Sequence, residues 1–295
     1  MQALADTELI INSKGRIYHL DLHPDELADT VITVGDPARV AAITRHFDSI
    51  ESQAAHREFV SHTGWVGKQR ITVLSTGIGP DNIDICLNEL DALANIDFTT
   101  RIPKANLRQL NIIRLGTSGA LQHDIEPGTL ILSRYGLGLD NLMHFYHYQP
   151  NPAELGLMAE VQHLETQVEK FPVSPYACEG SAELAEQLGE GMEQGITITC
   201  PGFYAPQARS LRTPILMSIA TLDAWSQLSY NGIRLTNFEM ETSAIFGLAR
   251  LLGHRAISCN VILGNRLNGK FTDDPGRVVE RMIEVMLPRI AGLGK

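Results

Sequence analysis

Cysteine is scarce in this chain: Cys86, Cys178, Cys200 and Cys259 are its four copies in 295 residues. No two are spaced as CxxC, and four thiols cannot staple a chain of this length. Reduced thiols and a cytoplasmic location are therefore expected. Basic charge is in deficit. Lys plus Arg total 24 against 34 Asp plus Glu, a formal net charge of −10, and no basic run stands out. This balance argues against polymeric nucleic acid or an anionic membrane as a partner. Long apolar runs are missing. No stretch approaches the roughly 20 apolar residues of a membrane span. The first twenty residues carry Asp6, Glu8, Lys14 and Arg16 in place of the apolar block of a leader. Internal repeats, low-complexity segments and Pro/Gly/Ser linkers are absent, so one domain over residues 1–295 is the economical expectation.

Several catalytic signatures are also missing. A dinucleotide fingerprint fails twice: Gly77-Ile78-Gly79 has Asn82 where the third glycine belongs, and Gly136-Leu137-Gly138 has Asn141. There is no phosphate-binding P-loop, no HExxH, and no nucleophile elbow, since Gly116-Thr117-Ser118-Gly119 has the wrong spacing. His144 and His147 stand three apart but have no Cys or acidic neighbour beside them, so ordinary histidines are expected there.

What is present is alternation. β-branched runs at Thr30–Val34, Arg70–Ser75, Asn111–Leu115, Thr129–Ser133, Ile196–Cys200 and Ala256–Leu263 predict strands. Helical spacing separates them: Val40, Ile43 and Phe47 after Pro37; Cys86, Leu87, Leu90 and Leu93; Leu157, Val161, Leu164 and Val168 after Pro152. Further helices are expected after Ser181, after Glu241 (Phe246, Leu248, Ala249, Leu252) and after Asp274-Pro275. The pattern predicts an α/β protein, a three-layer α/β/α sandwich around a central mixed sheet.

Three predicted strands run into Gly-rich turns, where ligands sit in such sheets. In Val34-Gly35-Asp36-Pro37-Ala38-Arg39 a strand meets a helix N-terminus, a place that favours anions, with Arg39 on the first turn. Arg114 precedes Gly116-Thr117-Ser118-Gly119, a guanidinium fork beside a hydroxyl and two glycines. Each alone also reads as an arginine salt bridge beside a tight turn; two together point to a phosphate-sized ligand. Met240 and Glu241 read either as a plain acidic helix start or as a carboxylate for adjacent sugar hydroxyls. Phe203, Gln207 and Arg209 read either as surface loop or as a pocket for a base edge rich in carbonyls and N–H groups.

Tyr18-His19-Leu20, VGDPARV (34–40), AHREF (55–59), STGIGP (75–80), IRLGTSGALQ (113–122), GFYAPQAR (202–209), FEMET (238–242) and ILGNR (262–266) together resemble the nucleoside phosphorylase family, which includes uridine phosphorylase and hexameric purine nucleoside phosphorylase. The resemblance runs from about Tyr18 to Arg266 and implies a nucleoside phosphorylase-like fold. It implies that Gly35, Arg39, Arg114 and Thr117 bind phosphate, that Met240 and Glu241 bind ribose, and that Phe203, Gln207 and Arg209 bind the base. It places Arg57 and His19 in the site of a neighbouring subunit, hence a homo-oligomer, dimer or hexamer. Glu58 and Glu239 match acidic positions that hold a monovalent cation between subunits in some relatives. Asn265 stands where the purine branch has an Asp acid, while Gln207 and Arg209 match the uridine phosphorylase pair.

The implied reaction is reversible phosphorolysis of a nucleoside, uridine or a related pyrimidine nucleoside first. Inorganic phosphate is the co-substrate, and no resident cofactor is implied. A purine nucleoside phosphorylase, a hydrolytic nucleosidase and a non-catalytic nucleoside-binding protein are the alternatives. Phe98–Asn106 reads as an insertion of unassigned role.

Overall fold

The computed structural model describes residues 2–293. In chain order its strands are β1 (Thr30–Val34), β2 (Ser49–His56), β3 (Phe59–Val66), β4 (Gln69–Ser75), β5 (Ile96–Asp97), β6 (Ile102–Pro103), β7 (Asn111–Ala120), β8 (Leu130–Gly138), β9 (Tyr176–Glu179), β10 (Glu193–Thr199), β11 (Ser229–Tyr230), β12 (Ile233–Glu239) and β13 (Arg255–Asn265). The helices are α1 (Pro37–Thr44), α2 (Pro80–Asn95), α3 (Pro152–Leu164), α4 (Ala182–Leu188), α5 (Ile219–Trp225), α6 (Thr242–Leu251) and α7 (Pro275–Ile290).

All five residues of β1 are buried, as a β-branched run between two parallel neighbours must be; β4 and β7 flank it. The large sheet is mixed, in the order β11-β12-β10-β8-β13-β7-β1-β4-β3-β2. Helices cover both faces. α1, α4 and α7 pack on one, and α2 and α6 lie together on the other, which is the three-layer arrangement expected. β12 also pairs with β7, antiparallel, through Asn237 with Ala120 and Phe238 with Gly119. Strands β7, β13, β8, β10 and β12 thus close into a ring, and β1, β4, β3 and β2 extend from it as an open sheet.

The helix starts are set by local side chains. Asp36, Asn151, Ser181 and Asp274 each accept a backbone N–H in the first turn of α1, α3, α4 and α7. Two helices end earlier than their spacing suggested. α1 stops at Thr44, short of Phe47, and α3 stops at Leu164, short of Val168. The segment 98–106 completes the small β5–β6 hairpin.

One expected turn is not a turn. Gly116-Thr117-Ser118-Gly119 continues β7, paired along its length with β13 from Asn260 opposite Gly116 to Asn265 opposite Ala120. The glycines serve close approach. A Cβ on Gly116 would fall 1.5 Å from a guanidinium nitrogen of Arg114, and one on Gly119 would fall 3.2 Å from the Phe238 ring. The other two Gly-rich segments do leave their strands: the chain bends at Gly35-Asp36 after β1, and Gly77 and Gly79, after β4, take φ of +70° and +103°.

Candidate active site

The cavity beyond the ends of β1 and β4 and alongside β7 has a volume of about 930 Å³, ample for a nucleoside and an anion side by side. It gathers nine of the expected residues from four separate segments: Gly35, Arg39, Arg114, Thr117, Phe203, Gln207, Arg209, Met240 and Glu241. Glu58 and Glu239 also reach its wall. Arg57 and His19 do not line it. Arg57 is exposed at the β2–β3 hairpin with φ +57°, and the His19 Nδ1 lies 2.6 Å from Glu89.

Arg114 defines one end. Its side chain doubles back over Gly116 and is only 6% exposed. Nη1 donates to Asn260 Oδ1 at 2.6 Å. Nη2 donates to Glu241 and lies 3.1 Å from Glu239. Burial opposes its charge, but the two carboxylates outweigh burial and leave its pKa raised. Arg39 stands nearby, with Nη1 donating to the Leu115 carbonyl at 3.1 Å. Its pKa is lowered, by burial first and then by Arg114, although Asp36 and Glu241 pull the other way. Two cations close enough to disfavour each other mark a place where an anion is welcome.

The α1 N-terminus itself contributes less than the sequence suggested. Asp36 caps it with its own carboxylate, accepting from Ala38 N at 2.9 Å, and its carbonyl accepts from Arg39 N. The attraction for an anion therefore comes from the guanidinium groups rather than from free helix N–H groups.

Glu239 is engaged within its own chain. It is 4% exposed and accepts from Thr199 Oγ1 at 2.9 Å and from the backbone N–H groups of Glu241 and Thr242. It caps α6, whose N-cap residue Glu241 makes no such bond itself. That leaves Glu241 to face the cavity, with Gly79 N donating to its Oε1 at 2.8 Å. Burial raises the Glu241 pKa; Arg114 opposes this and Glu239 adds to it.

The opposite end is a loop. A short 3-10 turn, Ala205–Gln207, is followed by Ala208 at φ +55°, which swings Arg209 back over its own loop. Arg209 Nη1 donates to Gln207 Oε1 at 2.5 Å and to the Phe203 carbonyl at 2.9 Å. Its guanidinium carbon lies 3.9 Å from the Phe203 ring centroid. Phe203 offers one ring face to Arg209, which leaves the other for a stacking partner. Burial, with Arg266 adding to it, lowers the Arg209 pKa to about 10. Gln207 is buried, and with Oε1 engaged its amide N–H groups remain to donate.

Several cavity residues were not singled out as ligands from sequence. Arg266 stands beside Arg209 and donates to the Ala208 carbonyl. Ser118, whose hydroxyl accepts from Asn237, lies within the quoted GTSG segment. Lys270 and Phe271 form the outer rim, Phe271 bridging back to Gly264, and no local motif announces them. Asn265 is committed to the chain: Nδ2 donates to the Gln122 and Ile125 carbonyls and Oδ1 accepts from Leu267 N. All four cysteines are buried and unpaired. No helix among the described residues is long and apolar enough to cross a membrane.

The mixed-sheet α/β frame gathers guanidinium, hydroxyl and carboxylate groups from distant segments into one cavity, as in the class of α/β proteins that bind small molecules. Within that class the chain belongs to the phosphorylase superfamily, whose sequence pattern matches residues 29–287. Its fold is that of the nucleoside phosphorylases. It is similar to the uridine phosphorylase of Thermococcus kodakarensis, 30% identical over 260 residues that cover 88% of this chain and 80% of that one. It is 28% identical to the uridine phosphorylase of Haemophilus influenzae, over 85% of this chain and 86% of the relative. Among solved structures it is similar to the Trypanosoma brucei nucleoside phosphorylase that shows uridine phosphorylase activity, with a TM-score of 0.86, 29% identity, and 96% and 99% of the two chains covered.

Proposed function

We propose that this protein catalyses reversible phosphorolysis of a pyrimidine nucleoside, uridine first, giving free base and ribose 1-phosphate or its deoxy form. It is then a pentosyltransferase serving nucleoside salvage. The observation that carries this reading is the make-up of the cavity: Arg39, Arg114 and Thr117 with Glu241 at one end, Gln207 with Arg209 at the other, and Met240 on the same wall.

Phosphate held by Arg39, Arg114 and Thr117 lies under C1′ of the sugar. The C1′–N bond stretches first, its electron pair passing to the base while the sugar gains oxocarbenium character. A phosphate oxygen then bonds to C1′. Glu241 accepts from sugar hydroxyls and fixes the ring, so that proximity becomes rate. Gln207 and Arg209 stabilise charge on the departing base, a charge that grows in the transition state and so lowers the barrier.

The Gln207 amide donates to a carbonyl of the base, and Arg209 adds positive charge at the same edge; both suit uracil. Asn265, bound up in its own turn, offers no acid for a purine ring. Two guanidinium groups at the anion end favour phosphate over water as the nucleophile. Arg57 and His19, outside the cavity of their own chain, serve the site of a second copy in this reading, which makes the protein a homo-oligomer.

The test is base release from uridine, thymidine, cytidine, inosine and adenosine, each with and without phosphate. Phosphate-dependent release from uridine or thymidine alone is expected. Release without phosphate would mean a nucleosidase, release from inosine or adenosine a purine enzyme, and binding without release a nucleoside-binding protein.

A further inference from the structure

The polar groups inside the closed strand ring form one hydrogen-bonded chain. Arg114 Nη1 donates to Asn260 Oδ1. Asn260 Nδ2 donates to Ser258 Oγ at 3.1 Å and to Ser133 Oγ at 3.3 Å. Ser133 is bonded at 2.6 Å to Thr197, which donates to Asn237, which donates to Ser118 on the cavity wall. Every link is buried. Both amide hydrogens of Asn260 face hydroxyl oxygens, so its carbonyl has only one direction left, towards Arg114.

Register puts the partners there. Asn260 on β13 stands opposite Gly116 on β7, and Ser258 stands opposite Arg114. A Cβ on Gly116 would fall 2.6 Å from Asn260 Oδ1 and 1.5 Å from Arg114 Nη1. Gly116 therefore clears the space in which these two side chains meet.

The charge at this point matters. Arg114 already has two carboxylate partners, Glu239 and Glu241, and Asp36 faces Arg39 beside it. A third carboxylate beside Arg114 would add negative charge there and oppose phosphate. A neutral acceptor holds the guanidinium without adding charge. Without it, Arg114 would have only the two glutamates for partners and would turn towards them.

We infer that Asn260 is a positioning residue for the phosphate subsite: with Gly116 it holds the Arg114 guanidinium aimed into the cavity while adding no negative charge beside it. This rests on the proposed function in that the anion is taken to be phosphate. It adds a residue on a buried strand that never touches substrate.

The test compares wild type, Asn260→Ala and Asn260→Asp. Binding of inorganic phosphate is measured by titration calorimetry, which needs no turnover, and uridine phosphorolysis gives KM for each substrate. Asn260→Ala should weaken phosphate binding about 10-fold, the loss of one hydrogen bond to a charged group. Asn260→Asp should weaken it roughly 100-fold. KM for uridine should stay within about twofold in both. The Asn260→Asp defect should shrink as pH falls, because the protonated acid is neutral and again offers a carbonyl to Arg114. A purely structural role would not produce that recovery.

Unchanged phosphate affinity in both folded variants would overturn the inference. So would equal losses for phosphate and uridine, which would signal general damage to the fold. Wild type that binds phosphate but releases no base would overturn the proposed reaction, while calorimetry on the variants would still decide the role of Asn260. Wild type that binds no phosphate would overturn both.

Discussion

At one end of the cavity Arg114 rises from a strand paired on both sides, and at the other Arg209 hangs from a loop that leans on a half-exposed aromatic ring. Arg114 has two carboxylates and an amide as buried partners; Arg209 has a glutamine, a carbonyl and the Phe203 face. The strand-borne charge is part of the core, and removing it disturbs folding and chemistry together. The loop-borne charge can be changed with little cost to the fold. In the proposed reaction, such a division would keep the phosphate end fixed while the base end is free to suit another heterocycle.

Four measurements would break or sharpen this contrast. The largest effect is expected from Arg114→Ala. Two buried carboxylates would lose their cation, costing about 3–5 kcal/mol of stability along with phosphorolysis. Urea denaturation reads this directly, and a midpoint equal to wild type would remove the distinction between the two ends. Arg209→Ala comes next. It should lower kcat for uridine about a hundred-fold while stability moves by less than about 0.5 kcal/mol and KM for phosphate holds. Near-normal turnover would show that the base end does not depend on this guanidinium.

The third measurement is the acid limb of kcat/KM. Burial and Glu239 raise the Glu241 pKa against the pull of Arg114. As pH falls through that raised value Glu241 gains a proton and loses its ability to accept from two hydroxyls, so the limb should lie above the ordinary glutamate range. Glu239→Gln removes a like charge and should move the limb to lower pH; a limb that moves up would contradict the coupling. The smallest effect is expected from Phe203→Leu, which removes the ring under Arg209. Losing a cation–π contact of about 0.5–1 kcal/mol should lower kcat/KM for uridine a few-fold, with phosphate KM unmoved.

The sequence made the outer parts of this design legible and hid the inner ones. β1 announced itself as Thr30–Val34 because both of its faces are apolar, and Ser181 and Asp274 marked helix starts because a capping side chain acts locally. β2 and β12 escaped notice for opposite reasons. β2 is an edge strand, exposed and polar along most of its length. β12 is buried, yet carries Thr236 and Asn237 inside the ring, where hydrogen bonds replace apolar packing. The glycines at 116 and 119 were taken for a turn because sequence cannot show what a missing Cβ leaves room for. The site residues were readable as a set through family resemblance, while Asn260 depends on strand register and has no local signature.

The closing of β12 against β7 also dictates when the pocket can exist during synthesis. Its phosphate-end arginines are present once residue 114 has been made. The ring that shapes their surroundings needs β12 and β13, which arrive more than a hundred residues later in the chain. Contacts of such long sequence separation form slowly. A nascent chain on the ribosome therefore carries Arg39 and Arg114 without a cavity to place them in. Ligand can stabilise this protein only late, after the C-terminal third has emerged, and cannot assist the earlier steps of its folding.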